Sequence, residues 1–132
     1  MCIPHVVRLA FALSCLISGA SAAQVPAELR EAMRARDEAI AKADTATWDR
    51  LTSADFTDVR TDGILMTRAE RLALLKTQKP TTPVPRDQVQ TKHYGDVFVR
   101  RSRTPDAWVL DIWVKEAGVW RVAAAQLTTA KR

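Results

Sequence analysis

Between Ala107 and Val114 the chain sets Trp108, Leu110, Ile112 and Val114 in alternation with Val109, Asp111 and Trp113. Successive side chains of a β-strand point to opposite faces. An antiparallel strand with one wet face should therefore alternate apolar with polar residues, and this one does not. Both of its faces call for cover. The expectation is a sheet covered on one side by its own helices and on the other by a second copy of the chain, a homodimer joined through the sheet.

The helices come earlier. From Ala27 to Ala43 apolar residues recur at Leu29, Met33, Ile40 and Ala43, with Ala32 and Ala39 beside them, which is the stripe of an amphipathic helix entered through Pro26. Asp44 offers an N-cap for a short second helix from Thr45 to about Ser53, in which Trp48 and Leu51 share a face. Asp62-Gly63, flanked by β-formers, predicts a hairpin. Thr67-Arg68-Ala69-Glu70 has the spacing of a capping box, so a third helix should run to about Gln78 and bury Leu72 and Leu75. Three prolines between Lys79 and Asp87 require an extended loop. Beyond it four strands are predicted, about Gln88 to His93, Asp96 to Ser102, Ala107 to Glu116 and Val119 to Leu127, with turns near Gly95, Pro105 and Gly118. Helices gathered ahead of an antiparallel meander argue for an α+β fold.

The first 22 residues read differently. Arg8, an apolar stretch from Leu9 to Ile17, and Ala20-Ser21-Ala22 have the three-part form of an export signal with cleavage after Ala22, or alternatively after Ala23. The apolar stretch falls short of the roughly 20 residues that span a bilayer. Residues 1–22 are thus expected to be a removable signal peptide and residues 23–132 one domain, periplasmic or secreted, with no membrane attachment after cleavage. Both cysteines, Cys2 and Cys15, lie in the signal. The remainder has no thiol, which excludes disulfides, thiolate catalysis and cysteine-ligated zinc.

The whole chain has 20 Lys and Arg against 15 Asp and Glu, and loss of Arg8 leaves a charge of +4. Arg100, Arg101 and Arg103 form the densest cluster, but no stacking aromatics interleave with them, so no nucleic-acid partner is expected. No metal or cofactor is expected either. His93 is the one imidazole outside the signal, and no spacing of the H-x-x-x-H kind occurs. Asp55 and Asp58 lie three apart near a strand start, where a cap or turn accounts for at least one of them. Ser53 and Ser102 have no G-x-S-x-G context.

Trp48-Asp49-Arg50-Leu51, Ala54 to Val59, Asp62-Gly63 and Thr67 to Glu70 resemble the front half of the family called domain of unknown function 4440, SnoaL-like proteins of the nuclear-transport-factor-2-like superfamily. Asp111 to Val114, Gly118 to Ala123 and Gln126-Leu127-Thr128 are similar to its closing half. The resemblance implies a cone-shaped fold in which a curved antiparallel sheet wraps around three helices and encloses an apolar cavity. It also brings in relatives of many functions, ketosteroid isomerase among them. Chemistry of that kind needs a carboxylate base and a tyrosine beside a protonated acid. Asp111 aligns with the acid, while the base falls near Arg60 and the tyrosine near Arg36. One role out of three does not carry the reaction.

Expectations for a site follow. A cavity for a small apolar or aromatic molecule would be lined by Trp48, Phe56, Met66, Tyr94, Asp111, Trp113 and Gln126, with Asp111 and Gln126 as polar anchors. A second possibility is a cofactor-independent lyase, isomerase or hydrolase using Asp111 with Tyr94 or His93. A third is an assembly module whose interior is filled by its own side chains. Asp111, between apolar neighbours, must be hydrogen-bonded or neutral, so it either serves the cavity or pairs with a nearby Arg, Trp or amide to order the sheet.

Overall fold

A Schellman-type turn sets the course of the first helices in the computed structural model, which describes residues 24–131. The expected signal peptide, with both cysteines, lies outside the described residues. Helix α1 runs Ala27–Lys42 and ends on Ala43 in the left-handed conformation, φ 55°. The Asp44 amide reaches back to the Ala39 carbonyl at 2.9 Å, satisfying a terminal acceptor. Asp44 then caps α2, Thr45–Arg50, by accepting from the Thr47 amide at 3.1 Å. The second helix is shorter than predicted, because strand β1 begins at Thr52 and extends to Val59.

A turn at Asp62-Gly63, with Gly63 at φ 82°, leads into the short strand β2, Leu65–Thr67, and helix α3, Arg68–Thr77. The capping box forms: the Thr67 hydroxyl accepts from the Glu70 amide at 3.3 Å, while the Glu70 carboxylate accepts from the Thr67 amide at 2.8 Å. After the proline-rich loop come β3 Asp87–Tyr94, β4 Val97–Arg103, β5 Ala107–Glu116 and β6 Val119–Thr129. The six strands are ordered β2-β1-β6-β5-β4-β3. All neighbours are antiparallel except β1 and β6, which pair in parallel.

Two irregularities decide which side chains face the helices. In β6, Ala124 sits opposite Ile112 but Val122 sits opposite Trp113, so Ala123 is an extra residue and the alternation changes phase there. Trp120 and Val122 point inward before the bulge, and Ala125 and Leu127 line the interior after it. In β1 the register jumps between Thr52 and Thr57, and Phe56 within the jump and Asp58 beyond it are both buried.

The core joins helix to sheet. Leu29, Met33 and Ala39 of α1, Trp48 of α2 and Leu75 of α3 pack with Phe98, Trp113, Trp120 and Val122 of the sheet. Trp48 and Phe56 meet edge to face at 5.6 Å, a preferred aromatic geometry. On β5, Val109, Asp111 and Trp113 are buried, whereas Leu110 on the outer face is 37% exposed and Trp108, Ile112 and Val114 are half-buried. The helices cover one face of this strand within the chain.

Replacing the cap residue in Thr67→Ala should lower unfolding stability by about 1 kcal/mol, measured by chemical denaturation. An unchanged midpoint would show that α3 is held by packing alone.

Candidate functional site

Helix α1 carries Arg36 on its apolar stripe, one turn beyond Ala32 and Met33. That position drives the guanidinium inward, between the rings of Trp48 and Phe56, each 5.4 Å from its carbon. Arg36 is 4% exposed. Among the described residues none of its N–H groups reaches an acceptor, and its Nε is sealed from solvent as well. Burial pushes its pKa down to about 10, opposed by attraction from Asp111 and Asp37 and reinforced by repulsion from Arg71 and Arg100. Its charge therefore persists at neutral pH without a bonded counter-ion.

The nearby carboxylates are engaged elsewhere. Arg100 of β4 lies directly opposite Asp111 of β5 in the ladder. It donates from Nε to Asp111 Oδ2 at 2.8 Å and from Nη2 to the same oxygen. Its Nη1 and Nη2 also grip both oxygens of Asp37 from α1, at 3.0 and 3.1 Å. Burial opposes the Arg100 charge, but attraction from Asp111 and Asp37 outweighs it and raises the pKa. Arg86, at the end of the proline-rich loop, donates to Asp37 Oδ1 at 2.8 Å and to Ser102 Oγ at 2.9 Å. On the opposite wall Asp58 Oδ2 accepts from Arg60 at 3.1 Å and lies 3.4 Å from Arg71 Nε. Burial, then repulsion from Arg60, lowers the Arg71 pKa against the pull of Asp58.

These groups surround a cavity of about 310 Å³ with apolar walls that include Ile40, Trp48, Phe56, Val109 and Leu127. Its size is at the small end of ligand pockets, which run from roughly 300 to 1,000 Å³. The interior is mixed, not simply apolar: Arg36, Arg60, Arg71, Arg86, Asp37, Asp58, Asp106 and Asp111 all reach it.

Of the residues expected to line a cavity, Trp48, Phe56 and Asp111 do so. Trp113 is fully buried in the core, its ring 6.0 Å from the Arg100 guanidinium carbon. Gln126 is exposed and opposite Leu110, because the bulge at Ala123 turns Ala125 and Leu127 inward in its place. Met66 is half-buried at the sheet edge opposite Asp58, and Asp58, Arg60 and Arg71 form that wall. Tyr94 is 60% exposed at the end of β3. His93 is exposed too, its ring stacked on Phe98 at 4.5 Å. Neither residue stands beside Asp111, so the expected acid–base pair does not assemble. Asp55 and Asp58, at least one of them expected in a cap or turn, both lie within strand β1, and Asp58 is buried in an ion-pair cluster.

The arginines were missed, although signals for two of them exist. Arg36 interrupts an apolar stripe in phase. Arg100 and Asp111 each lie five residues from the Pro105-Asp106 pair, on its two sides, which places them opposite each other in a hairpin. Arg71 and Arg86 carry no comparable local signal.

No protein-family model matches the sequence, and no curated protein matches it. Solved structures do. An NTF2-like protein from Cytophaga hutchinsonii superposes with a TM-score of 0.71 at 18% identity, over 77% of this chain and 95% of that one. A protein of the DUF3225 family from Pectobacterium atrosepticum gives 0.67 at 19% identity, over 80% and 90%. The CaMKII hub of S. rosetta gives 0.69 at 16% identity, over 80% and 100%.

Two substitutions should move stability in opposite directions in denaturant unfolding. Arg36→Met removes a charge that lacks a bonded partner and should stabilise the empty protein by roughly 1 to 2 kcal/mol, the balance between relieved burial and lost ring contacts. Arg100→Met strands two carboxylates and should destabilise by roughly 3 to 5 kcal/mol. A destabilised Arg36→Met would mean that its guanidinium has an acceptor after all.

Proposed function

On the premise of a nuclear-transport-factor-2-like fold, α+β with helices over one face of the sheet, we propose that this chain is an exported binding protein that holds a small monoanion with an apolar or aromatic body. The observation that carries this reading is Arg36, a buried guanidinium with no acceptor among the described residues, at the wall of a cavity whose other buried charges are paired. Buried charges are ordinarily paired. A ligand carboxylate would supply the missing partner through a charge-assisted bond, while the aromatic and aliphatic walls take the body.

The pairing of the charges favours a single negative charge. Arg36, Arg60, Arg71 and Arg86 line the cavity with Asp37, Asp58, Asp106 and Asp111, and Arg100 is bonded to Asp37 and Asp111. Among these five guanidinium groups Arg36 alone makes no ion pair within the described residues. Acid–base catalysis through Asp111 is less favoured, because Tyr94 and His93 lie away from the cavity and Asp111 is held by Arg100.

The outer face of the sheet supports a second element of the reading, the homodimer. Val97, Val99, Leu110, Ile112 and Val114 share that face across β4 and β5, and helices do not cover it. Single exposed apolar residues are unremarkable, whereas a contiguous set on a strand pair marks an interaction surface. The S. rosetta neighbour of this shape is a CaMKII hub.

Calorimetric titration with benzoate should give binding in the wild type and none in Arg36→Met. Affinity should hold through neutral pH and weaken as pH rises past about 10, where Arg36 loses its proton. The charged form is the one that binds, so the loss lies on the alkaline side. Absence of binding to benzoate and to other small monocarboxylates would overturn the reading. Separately, light scattering should find a dimer that Ile112→Asp converts to a folded monomer; a wild-type monomer would sink the dimer.

A further inference from the structure

Asp111 uses one oxygen only. Both Arg100 bonds fall on Oδ2, and Oδ1 accepts nothing from the described residues. The side chain is 3% exposed and belongs to the cavity wall. Asp58 also has a free oxygen, Oδ1, but that atom is sealed from solvent without a partner. Asp111 Oδ1 is not sealed in this way, so it is the acceptor that a bound molecule meets.

Arg36 and Asp111 thus make demands of opposite kind on a bound molecule. Arg36 offers donors and calls for an anion, and Asp111 Oδ1 offers an acceptor and calls for a hydrogen-bond donor. The two side chains are near enough that Asp111 is the strongest attraction acting on the Arg36 charge. Resting on the anion-binding reading, we infer that the ligand is a hydroxycarboxylate, its carboxylate on Arg36 and its hydroxyl donating to Asp111 Oδ1. An ammonium group would satisfy Asp111 equally well as a donor. It would, however, bring a second cation to a carboxylate that Arg100 already neutralises. A phosphate dianion errs the other way, bringing two charges to the one lining guanidinium without an ion pair. The neutral donor on a monoanion is what remains.

A site built to bond a hydroxyl discriminates against the analogue that lacks it, because its own polar group is then left unpaired. The test is a matched ligand series on the wild-type protein by calorimetric titration: benzoate, its three monohydroxy isomers, the corresponding methoxybenzoates and phenylalanine. At least one hydroxybenzoate should bind on the order of tenfold more tightly than benzoate, and its methyl ether, which cannot donate, should lose that gain. Phenylalanine should bind more weakly than benzoate. Asp111→Asn should shrink the hydroxyl preference while retaining benzoate binding, and if that variant does not fold the ligand series decides alone. Benzoate binding with no hydroxyl preference, or with phenylalanine preferred, overturns the hydroxycarboxylate inference and leaves anion binding standing. Failure of the whole series to bind overturns both.

Discussion

The Arg100 guanidinium is the junction on which the interior depends. It ties β4 to β5 through Asp111 and ties the sheet to helix α1 through Asp37. An arginine fork can satisfy two carboxylates at once in a fixed plane, which a lysine cannot do. With Asp111 and Asp37 committed to it, and Asp58 committed to Arg60 and Arg71, these three carboxylates already have cations. Arg36 follows directly before Asp37 in the helix and finds no partner left. Its isolation is thus a consequence of how the other charges are paired, and the cavity wall keeps an unpaired guanidinium.

Such an arrangement opposes stability and serves recognition. Burying an uncompensated charge is unfavourable, and the depressed Arg36 pKa reports that penalty. Two ring faces return part of it. Local conflict of this kind tends to mark functional positions, since packing alone would have been better served by an apolar residue at the same place. The rest of the wall obeys ordinary packing rules, with Trp48 against Phe56 and Phe98 against Trp120, each edge to face.

Much of the architecture was legible in the residues. The capping box at Thr67, the Asp62-Gly63 turn and the stripe of α1 each act within a few residues, and each formed where local rules place it. Strand β5 runs over its predicted span, Ala107 to Glu116. The end of α2 was misjudged because Thr52 is drawn into the sheet: the Leu51 carbonyl accepts from the Val122 amide of β6 at 2.9 Å, a partner distant in sequence. The cavity was read less well, since Gln126, Trp113, Met66 and Tyr94 all require a side-chain direction, and directions depend on bulges and on the position of a strand end.

By itself the sequence determined the order of elements, the turn positions and the strand on which Asp111 sits, because those rest on spacing, capping and turn chemistry that neighbouring residues decide among themselves. The tertiary structure decided which charges meet. A one-residue bulge at Ala123 reversed the facing of β6, the register of a hairpin set Arg100 on Asp111, and the approach of α1 added Asp37. An ion pair forms between groups brought close by the whole fold, so the buried arginine left without one becomes visible only after the pairs around it are in place.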